Sequence, residues 1–208
     1  MELSSRPERE RDLERRLRAG RARHRSRNLE WRVGGQTARY EGEFRDGKPD
    51  GRGVVTWPNG DRYEGDFRDG SPHGRGVTTW ASGDRYEGDY RDGKPHGRGV
   101  TTWADGDRYE GDYRDGKEDR RGVYTRADGT RYEGDYRDGK QHGRGATTWA
   151  NGDRYEGDYR NRKQDGHGVF TGADGTRYEG EFRDGELLRR REDARGALRR
   201  QVGGGVFP

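Results

Sequence analysis

Several residue groups in this chain are of types that carry chemistry. The stretch Gly88-Asp-Tyr-Arg-Asp-Gly93-Lys94 has the first part of a phosphate-binding loop, in which backbone N–H groups and a lysine cradle phosphoryl oxygens. Such a loop next needs Ser or Thr for a magnesium ion and a helix N-terminus facing the phosphates. Pro49, Pro95, Glu118 and Gln141 stand at that place in the equivalent stretches, so the match is a by-product of turn glycines. His73, His96 and His142 recur at one position. As zinc ligands they would have to converge on one ion at about 2.1 Å, and copies set about 10 Å apart in a sheet cannot. A loop hydrogen bond is the reading for each, and no metal site is expected. His167 is one residue out of that register and His24 lies near the N-terminus. Asp105-Gly-Asp107 lacks the remaining ligands of a calcium loop.

The carboxylates are abundant, but each is a copy of others. Acid–base catalysis needs one constellation of unlike pKa in a pocket that excludes water. No catalytic residue and no cofactor is assigned, and the protein is read as not an enzyme. A further group consists of Trp57, Trp80 and Trp103, equivalent positions in consecutive copies, with Trp149 resuming the row. One reading packs them under a turn to stabilise it. The other leaves them exposed as anchors for a partner, because the same slot tolerates Arg126 and Gly172.

What could position these residues is restricted by composition. The 208 residues are 40% charged and 24% hydrophobic, with 38 Gly, no Cys and no Ile. No Leu lies between Leu29 and Leu187, which rules out an ordinary aliphatic core. Taken alone, such a composition describes a disordered chain. No apolar run approaches a membrane span, and MELSSRPERE is not the start of a secretory signal. The absence of Cys is compatible with a reducing compartment. Charge is divided unevenly. Residues 1–38 carry 11 Arg against 6 acidic residues, and 186–208 carry 6 Arg against 3. The interval 39–185 has 27 basic and 31 acidic residues, a net −4. Any case for anionic lipid or nucleic acid therefore begins at the tails.

Order comes from repetition. Tyr stands at 40, 63, 86, 109, 132, 155 and 178, always 23 residues apart. The first copies read RYEGEFRDGKPDGRGVVTWPNGD and RYEGDFRDGSPHGRGVTTWASGD, and the series closes with RYEGEFRDG after six full copies. In Arg39–Arg45 aromatics and charges alternate, which puts Tyr40, Gly42 and Phe44 on one face of a strand. After Asp46-Gly47 comes a second, β-branched run, Gly53–Trp57. Asn59-Gly60 then suits a type I′ turn, whose two central residues both need positive φ. Each copy is predicted to be a hairpin, and the whole an antiparallel meander that folds only as an array.

The recurring YEG[DE][YF]RDGKxHGRG, followed by a strand, xDG or xNG and the next YEG, resembles the MORN (membrane occupation and recognition nexus) repeat over 39–185. The resemblance implies an all-β fold: an elongated single layer of stacked 23-residue hairpins, a solenoid without catalytic parts. Such arrays appear in junctional membrane proteins, cytoskeletal scaffolds, phosphatidylinositol-phosphate kinases and a histone-lysine methyltransferase, where the repeats bind or position. It also implies an intracellular, cytoplasmic setting, at the cytoplasmic face of a membrane or on the cytoskeleton. Two copies depart from the pattern. The fourth has Arg120 in a Gly slot and Arg126 in the Trp slot. The sixth has Asn161-Arg162 for Asp-Gly and Gly172 in the Trp slot. Drift is the plain explanation, yet a uniform binding surface is in doubt from the fourth copy onward.

Three segments result: an Arg-rich arm at 1–38, expected to be disordered or a frayed helix; the array at 39–185; and a basic tail at 186–208. In the tail Leu187, Arg191, Ala194 and Leu198 follow helical spacing, so a short C-terminal capping helix is expected. The leading function is a non-enzymatic interaction scaffold that docks a protein partner through Trp57, Trp80, Trp103 and Trp149. The alternative is a peripheral module whose Arg189, Arg190 and Arg191 meet anionic phospholipid headgroups. Single-stranded nucleic acid ranks last, because no recognised module accompanies the aromatics.

Overall fold

Asp46 and Gly47 hold φ of 51° and 76°, and the same pair of positive values recurs at Asp69-Gly70, Asp92-Gly93, Asp138-Gly139 and Asp184-Gly185. Two consecutive residues of that kind make the two-residue turn whose twist matches flanking antiparallel strands. This turn sets the hairpins. The computed structural model describes residues 24–33 and 36–190, and the chain divides into two compact units, Met1–Lys117 and Glu118–Pro208.

The first unit contains β1 (His24–Val33), β2 (Gln36–Arg45), β3 (Lys48–Thr56), β4 (Arg62–Arg68), β5 (Ser71–Thr79), β6 (Arg85–Arg91), β7 (Lys94–Thr102) and β8 (Arg108–Arg114). In the second, β9 (Lys117–Thr125) opens at the boundary. It is followed by β10 (Arg131–Arg137), β11 (Lys140–Thr148), β12 (Arg154–Arg160), β13 (Lys163–Thr171), β14 (Arg177–Arg183) and β15 (Glu186–Arg190). Within each unit every strand pairs antiparallel with the next in the chain. No helix occurs among the described residues.

In each unit the core is a row of rings. Tyr40, Tyr63, Tyr86 and Tyr109 are almost fully buried, with Phe44, Phe67, Tyr90 and Tyr113 beside them. In the first unit the rings meet edge to face at 4.9–5.2 Å from Tyr40–Phe44 through Tyr63–Tyr90 to Tyr109–Tyr113. Tyr132, Tyr136, Tyr155, Tyr159 and Phe182 continue the pattern in the second. Edge-to-face contact suits the ring quadrupole, so aromatics replace the missing aliphatic core.

The sequence expectations need three corrections. The C-terminal helix is absent over its described part: Glu186–Arg190 is a strand, with Leu187 opposite Phe182 and Arg190 opposite Gly180. The Asp184-Gly185 turn returns the chain along β14, covering an edge that would otherwise stay unpaired. Arg191 and the rest of the helical spacing lie outside the described residues. The N-terminal arm is strand from His24, because β1 pairs with the open edge of β2; residues 1–23 fall outside the description. At Asn59-Gly60 only Gly60 has positive φ, at 93°. There the Trp57 N–H donates to Asp61 O at 2.9 Å and the Gly60 N–H to Trp57 O at 3.0 Å. This is the three-residue loop that ends in a left-handed glycine; the two-residue turn belongs to Asp46-Gly47. In the fourth copy Arg120 keeps the backbone conformation of the Gly slot it occupies. It takes φ 58° where Gly51, Gly74, Gly97, Gly143 and Gly166 lie between 63° and 118°, a conformation that costs a side-chain-bearing residue strain.

Candidate interaction surface

Strand register arranges the repeat into straight lines that cross the strands. Gly42 faces Gly53, Gly53 faces Gly65, and the line continues through Gly76, Gly88, Gly99 and Gly111. On one face each Tyr folds over a pair of these glycines. The Tyr63 hydroxyl donates to Asp66 O at 2.8 Å, and Tyr86 does the same to Asp89 O at 2.9 Å. A Cβ at Gly88 would stand 2.5 Å from the Tyr86 hydroxyl, which explains why both YEG and GRG need glycine. Burial is the main cause that pushes the Tyr90 phenol up to about 12, against a lowering hydrogen bond with Thr78. Tyr63, Tyr86 and Tyr132 are pushed up further, again chiefly by burial.

On the opposite face, Glu41 faces Val54, Val54 faces Glu64, Glu64 faces Val77 and Val77 faces Glu87. The line runs on through Val100 to Glu110. Its carboxylates are exposed and its valines half-buried. Glu64 accepts from Arg62 at 2.6 Å and Glu87 from Arg85 at 2.7 Å. Beyond the glycine line runs a second charged row. Arg75 pairs with Asp89 at 3.6 Å and Arg52 with Asp66 at 3.5 Å. Asp66 Oδ2 also accepts the Arg75 N–H at 3.1 Å, and Asp89 that of Arg98 at 3.2 Å. The second acid of each repeat thus satisfies the backbone where the hairpin register shifts. Between the rows lies a groove of about 720 Å³, floored by Gly42, Gly53, Gly65 and Gly76.

The second compact unit repeats the geometry. Its line passes Val123, Glu133, Ala146, Glu156, Val169 and Glu179. The groove of about 500 Å³ there is lined by Arg144, Arg154 and Arg177 with His167, against Glu156 and Glu179. In the first unit Arg62 and Arg85 pair with Glu64 and Glu87 just as Arg154 pairs with Glu156 in the second. The departures of the fourth and sixth repeats also meet: Tyr124, Arg126 and Arg162 line one cavity of about 350 Å³ with Trp149.

Trp57, Trp80, Trp103 and Trp149 are all half-buried. The backbone of each closes its turn, and the Trp149 ring lies 6.1 Å from that of Phe170. The structure thus gives them a turn-stabilising part while leaving ring surface open. Arg189 is exposed beside Leu187 and Leu188, which are 39% and 55% exposed. His73 faces Asp92 at 3.7 Å, and His96 accepts the Asp115 N–H at 3.5 Å. His73 and His96 thus each reach the first Asp of the turn in the next repeat. Asp92 and Gly93 form a strand-to-strand turn and Lys94 opens β7, with no helix after it. Sequence reasoning missed the Glu–Val line, although alternation had put the glutamates on the polar face. Only the register of the second strand places Val54 opposite both Glu41 and Glu64.

No curated protein matches the chain. Among solved structures, two that the chain matches do so at low similarity. The TCP domain of Drosophila melanogaster SAS-4 (dCPAP), in complex with a proline-rich motif of Ana2 (dSTIL), is 16% identical with a TM-score of 0.41. That match covers 64% of this chain and 73% of the domain. BamB from Moraxella catarrhalis is 10% identical with a TM-score of 0.20, over 83% of this chain and 90% of that one. The MORN repeat family matches seven times, at 40–62, 63–85, 86–108, 109–131, 132–154, 155–177 and 178–187. With a Tyr opening every matched copy at a 23-residue spacing and the matches together spanning 40–187, the chain belongs to the MORN repeat family.

Proposed function

We propose that the chain is a non-enzymatic scaffold whose repeat array docks a protein partner. The observation that carries this reading is the groove of about 720 Å³, along which Glu41, Glu64 and Glu87 recur from three successive copies with Val54 and Val77 between them. Recognition over several identical stations suits a linear partner, as in other repeat arrays. Trp57, Trp80, Trp103 and Trp149 serve as further anchors on the aromatic side, through the ring surface their turns leave open.

Crosslinking and mass spectrometry of the full chain and of a 39–200 truncation, made in cells, identify the partner and the residues it touches. The reading expects a partner retained by the truncation, with crosslinks along the array. A partner lost with the tails, or crosslinks confined to them, contradicts it.

A further inference from the structure

Two of the chain's four asparagines, Asn59 and Asn151, are followed by glycine. In an Asn-Gly pair the glycine N–H has no side chain beside it to hinder attack on the neighbouring side-chain amide. The Gly60 nitrogen, its proton taken by hydroxide, bonds to the Asn59 Cγ and closes a five-membered ring. The Cγ–Nδ2 bond breaks, and the amide leaves as ammonia with a proton from water. Water then opens the cyclic imide at either carbonyl, leaving aspartate or isoaspartate at position 59. Both pairs are exposed in the β3–β4 and β11–β12 loops, so water and base reach them freely.

Conformation opposes the reaction. Ring closure needs the glycine nitrogen eclipsed with the asparagine Cβ about the Cα–C bond. The Gly60 N–H instead donates to Trp57 O at 3.0 Å, and the Gly152 N–H to Trp149 O at 2.9 Å. That bond makes each asparagine the third residue of a type I turn, with ψ near 0°, roughly 120° from the eclipsed arrangement. The side chain is held as well. Asn59 Nδ2 donates to Asp61 Oδ2 at 2.8 Å, and its Oδ1 accepts the Asp61 N–H at 3.1 Å. Asn151 makes the same two bonds to Asp153, at 2.8 and 3.0 Å. Asp61 and Asp153 also accept the N–H of Ala81 and Ala173 at 2.9 Å, which ties each loop to that of the next repeat. To react, a loop must release both its own turn and its neighbour.

The other repeats show what each product would do. Asp105, Asp128 and Asp174 occupy the same slot, and their Oδ1 atoms accept the N–H two residues on at 3.0, 2.7 and 2.8 Å. Aspartate therefore fits this turn. Isoaspartate carries the main chain through Cβ and breaks its spacing.

We propose that Asn59 and Asn151 are latent deamidation sites, blocked in the folded array and released when their own loops open. Pro58 offers a way to vary that opening. It presets φ at the second turn position, where the other copies have Ala81, Ala104, Ala127, Ala150 and Ala173. Alanine at 58 thus suits the fold but loosens the loop.

Peptide mass spectrometry of the full chain, folded or unfolded in urea at the same mildly alkaline pH, follows both sites at once. The unfolded chain should convert both asparagines, and folding should slow each at least about tenfold. Pro58→Ala should speed conversion of Asn59 about threefold in the folded chain and leave it unchanged in urea. Equal rates in the folded and unfolded chain overturn the inference. So does an absence of conversion in urea, or a folded-state rate at Asn59 that ignores Pro58→Ala.

Discussion

Tyr63 occupies the space that a side chain at Gly65 would need: a Cβ there would stand 2.5 Å from the Tyr63 hydroxyl. The same atom would meet Arg75 O and the Gly76 Cα, both at 2.5 Å. Backbone cannot yield as a flexible side chain can. Gly65→Ala should therefore destabilise by about 2–3 kcal/mol through overpacking. Gly116 is the control, with φ 87° but nothing within 4 Å of its Cβ position. Alanine there should cost about 1 kcal/mol of backbone strain. Thermal melts of the two variants rank them, and equal losses would show that ring cover does not explain the glycine line.

The Tyr row makes stability depend on alkaline pH. Tyr90 has its phenol pushed up to about 12 by burial, from an ordinary value near 10. A folded-state pKa above the unfolded one means that the contribution is whole below about pH 10 and is lost as pH climbs towards 12. Ultraviolet absorbance of phenolate should thus rise together with loss of the circular dichroism signal. Most phenols ionising near pH 10 with the sheet intact would contradict the buried row.

Arg120 at φ 58° and Arg162 at φ 72° occupy left-handed positions that glycine fills elsewhere. Arg120→Gly should stabilise the fold by about 1 kcal/mol, since the strain exceeds the entropy that glycine loses. Arg162→Gly should gain less, because it also removes the Arg162 Nη2 bond to Gly139 O at 3.1 Å. Chemical denaturation of both variants measures the order, and a destabilised Arg120→Gly would overturn the strain argument.

Much of the fold was legible in the sequence because a 23-residue Tyr spacing leaves few alternatives. Alternation in Arg39–Arg45 sorted Tyr40 from Glu41, and Asp46-Gly47 marked a turn. The second turn was misread because Asn59-Gly60 has the composition of a two-residue loop while Trp57 and Asp61 close a three-residue one. Leu187 kept helical spacing with residues downstream, but an open edge on β14 decided its conformation. The Glu–Val line was hidden for a different reason. Neighbours along it stand ten or thirteen positions apart in sequence, and only strand register brings them together.

The docking account and the membrane alternative diverge most clearly in their dependence on salt. One measurement follows the affinity of the full chain for its crosslinked partner and for phosphatidylserine–phosphatidylcholine vesicles as salt is raised. It compares wild type with the Trp57/Trp80/Trp103→Ala variant and with Arg189→Ala. The account predicts partner binding that weakens only modestly with salt and falls roughly thirtyfold in the Trp variant. Arg189→Ala should leave that binding unchanged. Tight vesicle binding that collapses with salt, survives loss of the three Trp residues and is weakened by Arg189→Ala would contradict the account and place the protein on anionic membranes.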